Sequence, residues 1–107
     1  MASNGLGDLE QVVLLAVLRL GEDAHAMRIR EELAQEAGRP LSRGALYRTL
    51  ERLVEKGRLE WSVGESSPER GGLPRRHFAL TAEGIDALSA ARRTLLHMWE
   101  GVEHVLK

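Results

Sequence analysis

The sequence predicts a mainly α-helical domain that carries a small β hairpin, and three observations support this. Apolar residues recur at three- and four-residue steps in four separate segments, which is the period of an α-helix. Between the third and fourth segments, two short runs alternate apolar and polar residues around a stretch with proline and paired glycines, as hairpins do. A chain of 107 residues with 43% hydrophobic content has the size and the apolar share of one domain.

The first helix is predicted to begin at Asp8, its N-cap, and to end before Gly21, after a disordered leader of residues 1–7. Apolar residues cover nearly its whole circumference, which a small domain rarely tolerates without a second surface over it. We therefore expect this helix to be buried against a partner chain. The residues that widen its apolar surface are Leu14, Leu15 and Leu18.

The second helix is predicted from about residue 24 or 26 to Ala37, and Gly38 marks its end. Pro40 prevents a simple continuation, and Ser42 offers its hydroxyl as the N-cap of the next helix. Two helices joined by a short angular connection form a helix-turn-helix outline.

The third helix, predicted over residues 42–57, carries different chemistry on its two faces. One face is apolar and is expected to pack against the domain; it holds Leu46, Leu50, Leu53 and Val54. The opposite face holds Arg43, Tyr47, Arg48, Glu51 and Arg52. Arginine and tyrosine on a free helix face indicate a partner that carries phosphates, and such a helix fits a DNA major groove. Arg48 beside Glu51 or Glu55 also fits an ordinary solvated face with ion pairs.

Two strands are predicted at residues 59–64 and 75–80, where apolar and polar residues alternate. Arg70 lies near the tip of the loop between them, and Arg75 opens the second strand. A hairpin tip beside a DNA-reading helix can lay an arginine along the backbone or in a minor groove. Two hairpin residues are instead expected on the core side, namely Arg76 and Trp61.

The charges of the chain are segregated, although the net charge is only −1. Residues 39–80 carry nine Lys and Arg against five Asp and Glu, a net of +4, and the remaining residues carry a net of −5. Since charges are screened over roughly 8 Å at physiological salt, phosphate binding depends on this local excess and not on the total.

The final helix is predicted from about Ala82 to Leu106, capped by Thr81, and at roughly 25 residues it would span about 37 Å. Apolar residues recur along it at helical steps beyond what the domain alone can cover, so this seam requires another helix. Trp99 in the seam has two interpretations: dimer core, or one of two plates that hold a flat aromatic ligand. The ligand site would be completed by Leu95, Met98 and Leu15 or Leu18.

Three motifs in this order give the chain a resemblance to a known family. They are Ser42, Gly44, Leu46 and Tyr47; the leucine pattern of residues 50–57; and the sequence LTAEG at residues 80–84. With the GGLPRR loop, they resemble a PadR-type transcriptional regulator of the compact subgroup with a single C-terminal helix. The resemblance implies a winged helix-turn-helix DNA-binding domain at residues 8–80 and a dimerisation helix at 81–107. It also implies a homodimer and, usually, repression of a nearby gene.

Two departures from the family pattern limit what the resemblance implies. The second helix commonly opens with a glycine-tyrosine pair where this chain has Ala26-Met27, and the second strand commonly carries two tyrosines where it has His77-Phe78. The fold tolerates both changes. The identity of an effector does not follow from the resemblance.

The predicted function is a sequence-specific DNA-binding regulator, a repressor released by a small aromatic ligand or another signal. The predicted DNA-binding residues are Ser42, Arg43, Tyr47, Arg48, Arg52, Arg70 and Arg75, and the predicted ligand-binding residues are Leu15, Leu18, Leu95, Met98 and Trp99. One alternative is a winged-helix adaptor whose third helix meets an acidic protein. Another is a metal-responsive regulator, but His97 and His104, which flank Glu100, would lie about 10 Å apart along the helix axis.

Several other classes are disfavoured by the sequence. Without cysteine the chain has no disulfide or thiolate metal site, which suits a reducing interior, and we expect a cytoplasmic protein without a cofactor. The N-terminus has no signal-peptide pattern, and the longest apolar run, residues 12–18, is far below the ~20 residues of a membrane helix. No glycine-rich phosphate loop, nucleophile motif or paired carboxylates indicate an enzyme.

Overall fold

A computed structural model describes residues 5–66, 71 and 74–106 of the chain. Over these residues the mainly helical class with a two-stranded hairpin is confirmed. In chain order, the elements are α1 (Asp8–Leu20), α2 (Ala26–Glu36), α3 (Arg43–Glu55), β1 (Leu59–Ser66), β2 (Pro74–Leu80) and α4 (Ala82–Trp99). Short 3₁₀ turns lie at Gly21–Asp23 and Glu103–Val105.

The core lies where α1, α2 and α3 meet the inner side of the hairpin. The predicted apolar stripe of α3 is confirmed, because Leu46, Leu50 and Leu53 are buried and Val54 is half-buried. Burying one such side chain contributes about 1.5–3 kcal/mol relative to leaving it exposed. The other large, fully buried side chains of this cluster are Val13, Leu14, Ile29, Leu33, Leu59 and Phe78.

The start of α1 differs from the sequence prediction. Gly7, not Asp8, is the N-cap, and the Glu10 carboxylate accepts a hydrogen bond of 3.0 Å from the Gly7 backbone N–H. Leu6, which lies within the predicted leader of residues 1–7, packs against the core. Residues 1–4 of that predicted leader lie outside the described part of the chain.

Two of the three leucines predicted to widen the apolar surface of α1 are exposed, and the third is part of the core. Leu14 is fully buried, because it faces the core together with Val13 and Val17. Leu15 and Leu18 are exposed by 45% and 47%, so α1 keeps an apolar strip on its outer side.

The helix-turn-helix outline is confirmed, and local hydrogen bonds fix the turn. Gly38 has φ +62°, the left-handed conformation that glycine adopts readily, and it allows the Arg39 N–H to donate to the Leu33 carbonyl at 2.9 Å. The Ser42 hydroxyl caps α3 as predicted by accepting from the Ala45 N–H at 3.1 Å. The Arg30 Nε donates to the Leu41 carbonyl at 2.7 Å and so ties α2 to the same turn.

The hairpin is antiparallel and is anchored to α2 at its inner end. Trp61 stands opposite Phe78 in the register, and an irregularity lies between Val63 and Ser66. The Phe78 N–H donates to the carbonyl of Ala24 at 2.8 Å, outside the sheet. This bond fixes the second strand against the segment that leads into α2.

The end of α3 and the start of α4 meet at one junction. The Thr81 hydroxyl donates to the Gly57 carbonyl at 2.6 Å and accepts from the Gly84 N–H at 3.0 Å, so Thr81 is the predicted cap of α4. Gly84 is buried against the carbonyl group of Arg58, and a Cβ there would overlap that oxygen. The start of α4 therefore approaches the segment that follows α3 as closely as a glycine permits.

The last helix is shorter than predicted. It ends at Trp99 and not at Leu106, because Gly101 has φ +83° and the chain turns there into the Glu103–Val105 3₁₀ segment. Its 18 residues span about 27 Å. From Arg92 onward every described residue is exposed, so the second half of the helix projects from the core. No helix in the described ranges is both long enough and apolar enough to cross a membrane.

Glu10 is the buried charge that ties α1 to the end of α3. Its carboxylate forms an ion pair of 3.0 Å with the Lys56 Nζ, in addition to its bond to the Gly7 N–H. Burial raises the pKa of Glu10, but the Gly7 N–H, the Lys56 ammonium and the Arg58 charge together lower it below the ordinary value.

We predict that Gly84→Ala destabilises the fold by about 1–3 kcal/mol, because the added Cβ forces α4 away from the Arg58 carbonyl. Gly44→Ala in α3 is the matched control, since its Cβ would meet only the far end of the Arg48 side chain, at 3.3 Å. Urea unfolding followed by circular dichroism measures both. Equal stability of the two variants would contradict the close approach at the junction.

We predict that acidification removes the stabilisation that Glu10 provides. A carboxyl group with a lowered pKa in the folded state stabilises fully above its pKa in the unfolded chain, and it stops stabilising as pH falls through the folded-state value. The free energy of unfolding of Glu10→Gln should therefore drop less between about pH 7 and pH 3 than that of the unchanged protein. Glu55→Gln, at an exposed position at the end of α3, is the control, and its free energy of unfolding should drop over this pH range as much as that of the unchanged protein. If the drop for Glu10→Gln is equally large, the prediction is wrong.

Candidate nucleic-acid interface

The outer face of α3 presents the cationic residues that the sequence placed there. Arg43, Arg48 and Arg52 are exposed and form no ion pair within the described residues. Tyr47 lies among them and is 39% exposed. Their charges are thus available to a partner, and the interpretation of Arg48 as half of an ion pair with Glu51 or Glu55 does not match the structure.

Ser42 lies at the start of this face and has a structural role there. Its hydroxyl oxygen accepts from the Ala45 N–H, which orients the first turn of α3. This first turn of α3 sets the position of Arg43, the next residue along the chain.

The second strand brings Arg75 to the same side of the molecule. Its Nη1 lies 2.6 Å from the His25 Nε2, at the residue that caps α2. Because arginine can only donate, the His25 Nε2 is the acceptor in this contact. Arg75 is exposed, so it joins the hairpin to α2 and still faces solvent. Arg70, the other predicted hairpin residue, lies outside the described residues.

Arg76 connects the hairpin to α3. Its guanidinium carbon lies 4.9 Å from the centroid of the Trp61 ring, and 5.5 Å and 5.9 Å from those of Phe78 and Tyr47. Its Nη1 also forms an ion pair of 2.9 Å with the Glu51 carboxylate of α3. The guanidinium thus positions the wing against the helix, where the sequence predicted a residue lying along the core.

Trp61 was expected in the core of the hairpin, and that prediction is wrong. The side chain is 44% exposed and lies against the Arg76 guanidinium. The buried aromatic residue of the hairpin is Phe78, although Trp61 stands opposite it on the same side of the hairpin.

A cleft of about 340 Å³ opens between α2, α3 and β2. Four of its lining residues lie in or next to α2 and were not predicted as site residues, namely His25, Ala26, Met27 and Arg30. The sequence held one signal of their importance, since residues 26 and 27 are where the chain departs from the family pattern. The other polar residues at its walls are Arg43, Tyr47, Arg75 and Arg76.

The predicted ligand-binding residues do not form a closed site within one chain. Leu95, Met98 and Trp99 are exposed on the projecting half of α4, Met98 by 70% and Trp99 by 40%. Leu15 lines a shallow groove with Leu33 and Ala37 between α1 and α2. Leu18 is exposed on α1.

The three residues of the alternative metal site do not share one helical face. His97 lies in α4, but Glu100 follows the end of that helix and His104 lies in the 3₁₀ segment. The His97 Nδ1 is 3.6 Å from the Glu100 carboxylate. Within the described part of the chain, no group of three His, Asp or Glu side chains is arranged to hold a metal ion.

A helix-turn-helix whose second helix exposes arginines beside a two-stranded wing defines the class of winged helix-turn-helix regulators, which bind DNA. Residues 14–90 match the model of the transcriptional regulator PadR-like family. The chain belongs to this family, whose members are transcription regulators and not enzymes. A search of curated proteins finds no significant match.

Solved structures of other members have the same fold. A PadR-like transcription factor from Bacteroides fragilis is 30% identical, with a TM-score of 0.70 over 91% of this chain and 88% of the other. A PadR family regulator from Eggerthella lenta is 25% identical, with a TM-score of 0.68 over 94% and 87%. Bacillus subtilis PadR in complex with operator DNA is 16% identical, with a TM-score of 0.64 over 79% and 46%.

Proposed function

We propose that this protein is a repressor that binds a pseudo-palindromic operator as a homodimer. Each subunit inserts its α3 into one of two successive major grooves, about 34 Å apart. The observation that carries this proposal is the cationic face of α3, which lies opposite the buried leucine stripe and whose arginines Arg43, Arg48 and Arg52 form no ion pair within the described residues. Occupation of an operator near a promoter blocks transcription.

The proposed DNA contacts divide between base edges and phosphates. Tyr47, Arg48 and Arg52 lie on the exposed face of α3, from which arginine can bind guanine and tyrosine can pack on a thymine methyl. Arg43 and Ser42 lie at the start of α3, where side chains and backbone amides hold phosphate. Arg75 and Arg70 contact the backbone or a minor groove from the wing.

Both the family and a solved relative support DNA as the partner. The Bacillus subtilis PadR structure contains operator DNA. The local charge of residues 39–80 is the second support, because the acidic residues of the chain are concentrated elsewhere.

The proposed homodimer covers the apolar surface that one chain leaves exposed. The second half of α4 presents Leu95, Leu96, Met98 and Trp99 to solvent, each by 40% or more. Monomeric proteins rarely expose contiguous apolar patches of this kind. A second copy packing its α4 along this surface, with help from Leu15 and Leu18 of α1, would bury it and set the spacing of the two α3 helices.

A small aromatic effector is the proposed signal for release. In the dimer, the two Trp99 side chains and their apolar neighbours offer a site between the α4 helices. An effector that favours a different spacing of the two α3 helices lowers operator affinity, and the coupling is reciprocal.

We predict that Arg48→Ala lowers operator affinity at least about tenfold, which corresponds to about 1.4 kcal/mol, and reduces the salt dependence of binding. Fluorescence anisotropy with DNA selected from a random pool measures both quantities, at several salt concentrations. Arg93→Ala on α4 is the matched control, since Arg93 bonds to Ser89 of its own helix. Affinity that is unchanged by Arg48→Ala and by salt would contradict DNA binding through α3 and favour an adaptor for an acidic protein.

We predict that Leu95→Asp converts the dimer to a monomer, because it places a charge in the apolar surface of α4. Thr94→Asp, one residue along the same exposed helix and rotated by 100°, should leave the dimer intact. Sedimentation equilibrium of the two variants is the measurement. A dimer in both, or a monomer of the unchanged protein at micromolar concentration, would contradict the proposed interface.

A further inference from the structure

The cleft between α2, α3 and β2 has the form of a small-molecule site. Its floor is apolar, because Leu46 and Phe78 line it and are themselves almost fully buried. Its rim holds Met27, which is 56% exposed, and Tyr47. A volume of about 340 Å³ lies at the lower end of the range for ligand pockets, so a ligand of about one ring fits it.

The charges around this cleft are of one sign. Four arginines line it and no carboxylate does, among the residues that the structure describes. Among the described residues, Arg76 is the one cleft arginine with a carboxylate partner, Glu51. Arg30 donates to the Leu41 backbone carbonyl, and Arg75 contacts the Nε2 of His25. An anion in the cleft would therefore meet several guanidinium groups whose charge no carboxylate of the described residues compensates.

The geometry points to a binding site for a small aromatic anion in this cleft, whose occupant excludes DNA from α3 and the wing. The ring would lie on the apolar floor beside Tyr47, and the anionic group would face the guanidinium groups of Arg43 and Arg75. These same residues are the proposed phosphate contacts, so one chain cannot hold the ligand and DNA there together. The exclusion of DNA rests on the proposed function, whereas binding of the anion does not.

Release by this site differs from release at the dimer seam. The cleft is complete within one chain, and its occupant competes directly with DNA. An effector between the α4 helices needs two chains and acts through their spacing. Competition raises the apparent operator Kd in proportion to ligand concentration, while an allosteric effect reaches a limit set by the coupling between the sites.

The first experiment tests the ligand chemistry on the full chain without DNA. Calorimetric titrations use phenyl phosphate, inorganic phosphate and phenol as probes. We expect phenyl phosphate to bind one site per chain, at least tenfold more tightly than either of the other two. If inorganic phosphate binds as tightly as phenyl phosphate, the aromatic-anion site is overturned and the cleft is a subsite for a DNA backbone phosphate. If phenyl phosphate does not bind, the aromatic-anion site is overturned as well.

The second experiment locates the site with an isosteric pair of variants. Met27→Glu places a carboxylate at the rim of the cleft, and Met27→Gln places a neutral group of the same shape there. Both substitutions are at an exposed position in the first turn of α2, which tolerates an acidic residue. Met27→Glu should weaken phenyl phosphate binding at least tenfold and Met27→Gln less than threefold; equal effects of the two would overturn the location.

The third experiment separates this proposal from the proposed function. Anisotropy titrations of selected DNA are repeated at rising concentrations of phenyl phosphate and, as the ionic-strength control, of inorganic phosphate. A proportional rise of the apparent Kd with phenyl phosphate alone supports exclusion, and an unchanged Kd at saturating ligand overturns it. If the protein binds no DNA in the absence of ligand, the proposed function fails while the calorimetric result stands.

Discussion

The structure depends above all on the burial of the leucine stripe of α3. An α-helix is stiff and its residues are fixed 100° apart, so burying Leu46, Leu50 and Leu53 determines where every other side chain of the helix points. Arg43, Arg48 and Arg52 then face solvent without an ion pair to any described residue, and Tyr47 lies among them beside the Arg76 guanidinium. The basic face is thus a consequence of packing on the opposite side, and it costs the fold no buried charge.

Two groups of polar contacts convert this packed helix into part of a rigid unit. At one end, Thr81 and Gly84 fix the start of α4 against Gly57 and Arg58, so the helix that projects from the domain moves together with α3. Along its length, Arg76 joins α3 to the wing by its ion pair and its three ring contacts. These contacts join the start of α4, the end of α3 and the hairpin into one packed unit.

Sequence reasoning predicted what depends on local pattern and missed what depends on contacts between remote segments. The stripe of α3, the caps at Ser42 and Thr81 and the hairpin follow from periodicity and from the chemistry of single residues. The exposed position of Trp61 could not be predicted in that way, because strand alternation does not show that the Trp61 ring packs against the Arg76 guanidinium and not in the core. The early end of α4 had a signal in Gly101, but the apolar repeat continued past it and outweighed that signal. The cleft beside α2 is assembled from three elements, so its ligand-sized shape has no sequence signature.

Where an effector binds determines what kind of regulation is available to such a protein. A site between two α4 helices acts only through the geometry of the dimer, so its effect is bounded by the difference in ligand affinity between two arrangements of the same subunits. A site that shares Arg43 and Arg75 with the DNA needs no second arrangement, because the guanidinium groups can neutralise either the ligand or a phosphate but not both. The elements α2, α3 and β2 of one chain, with the residue that precedes α2, contain all the residues that line this cleft. For a chain of 107 residues, in which the second half of α4 projects from the core, regulation at the surface formed by α2, α3 and β2 requires the least structure.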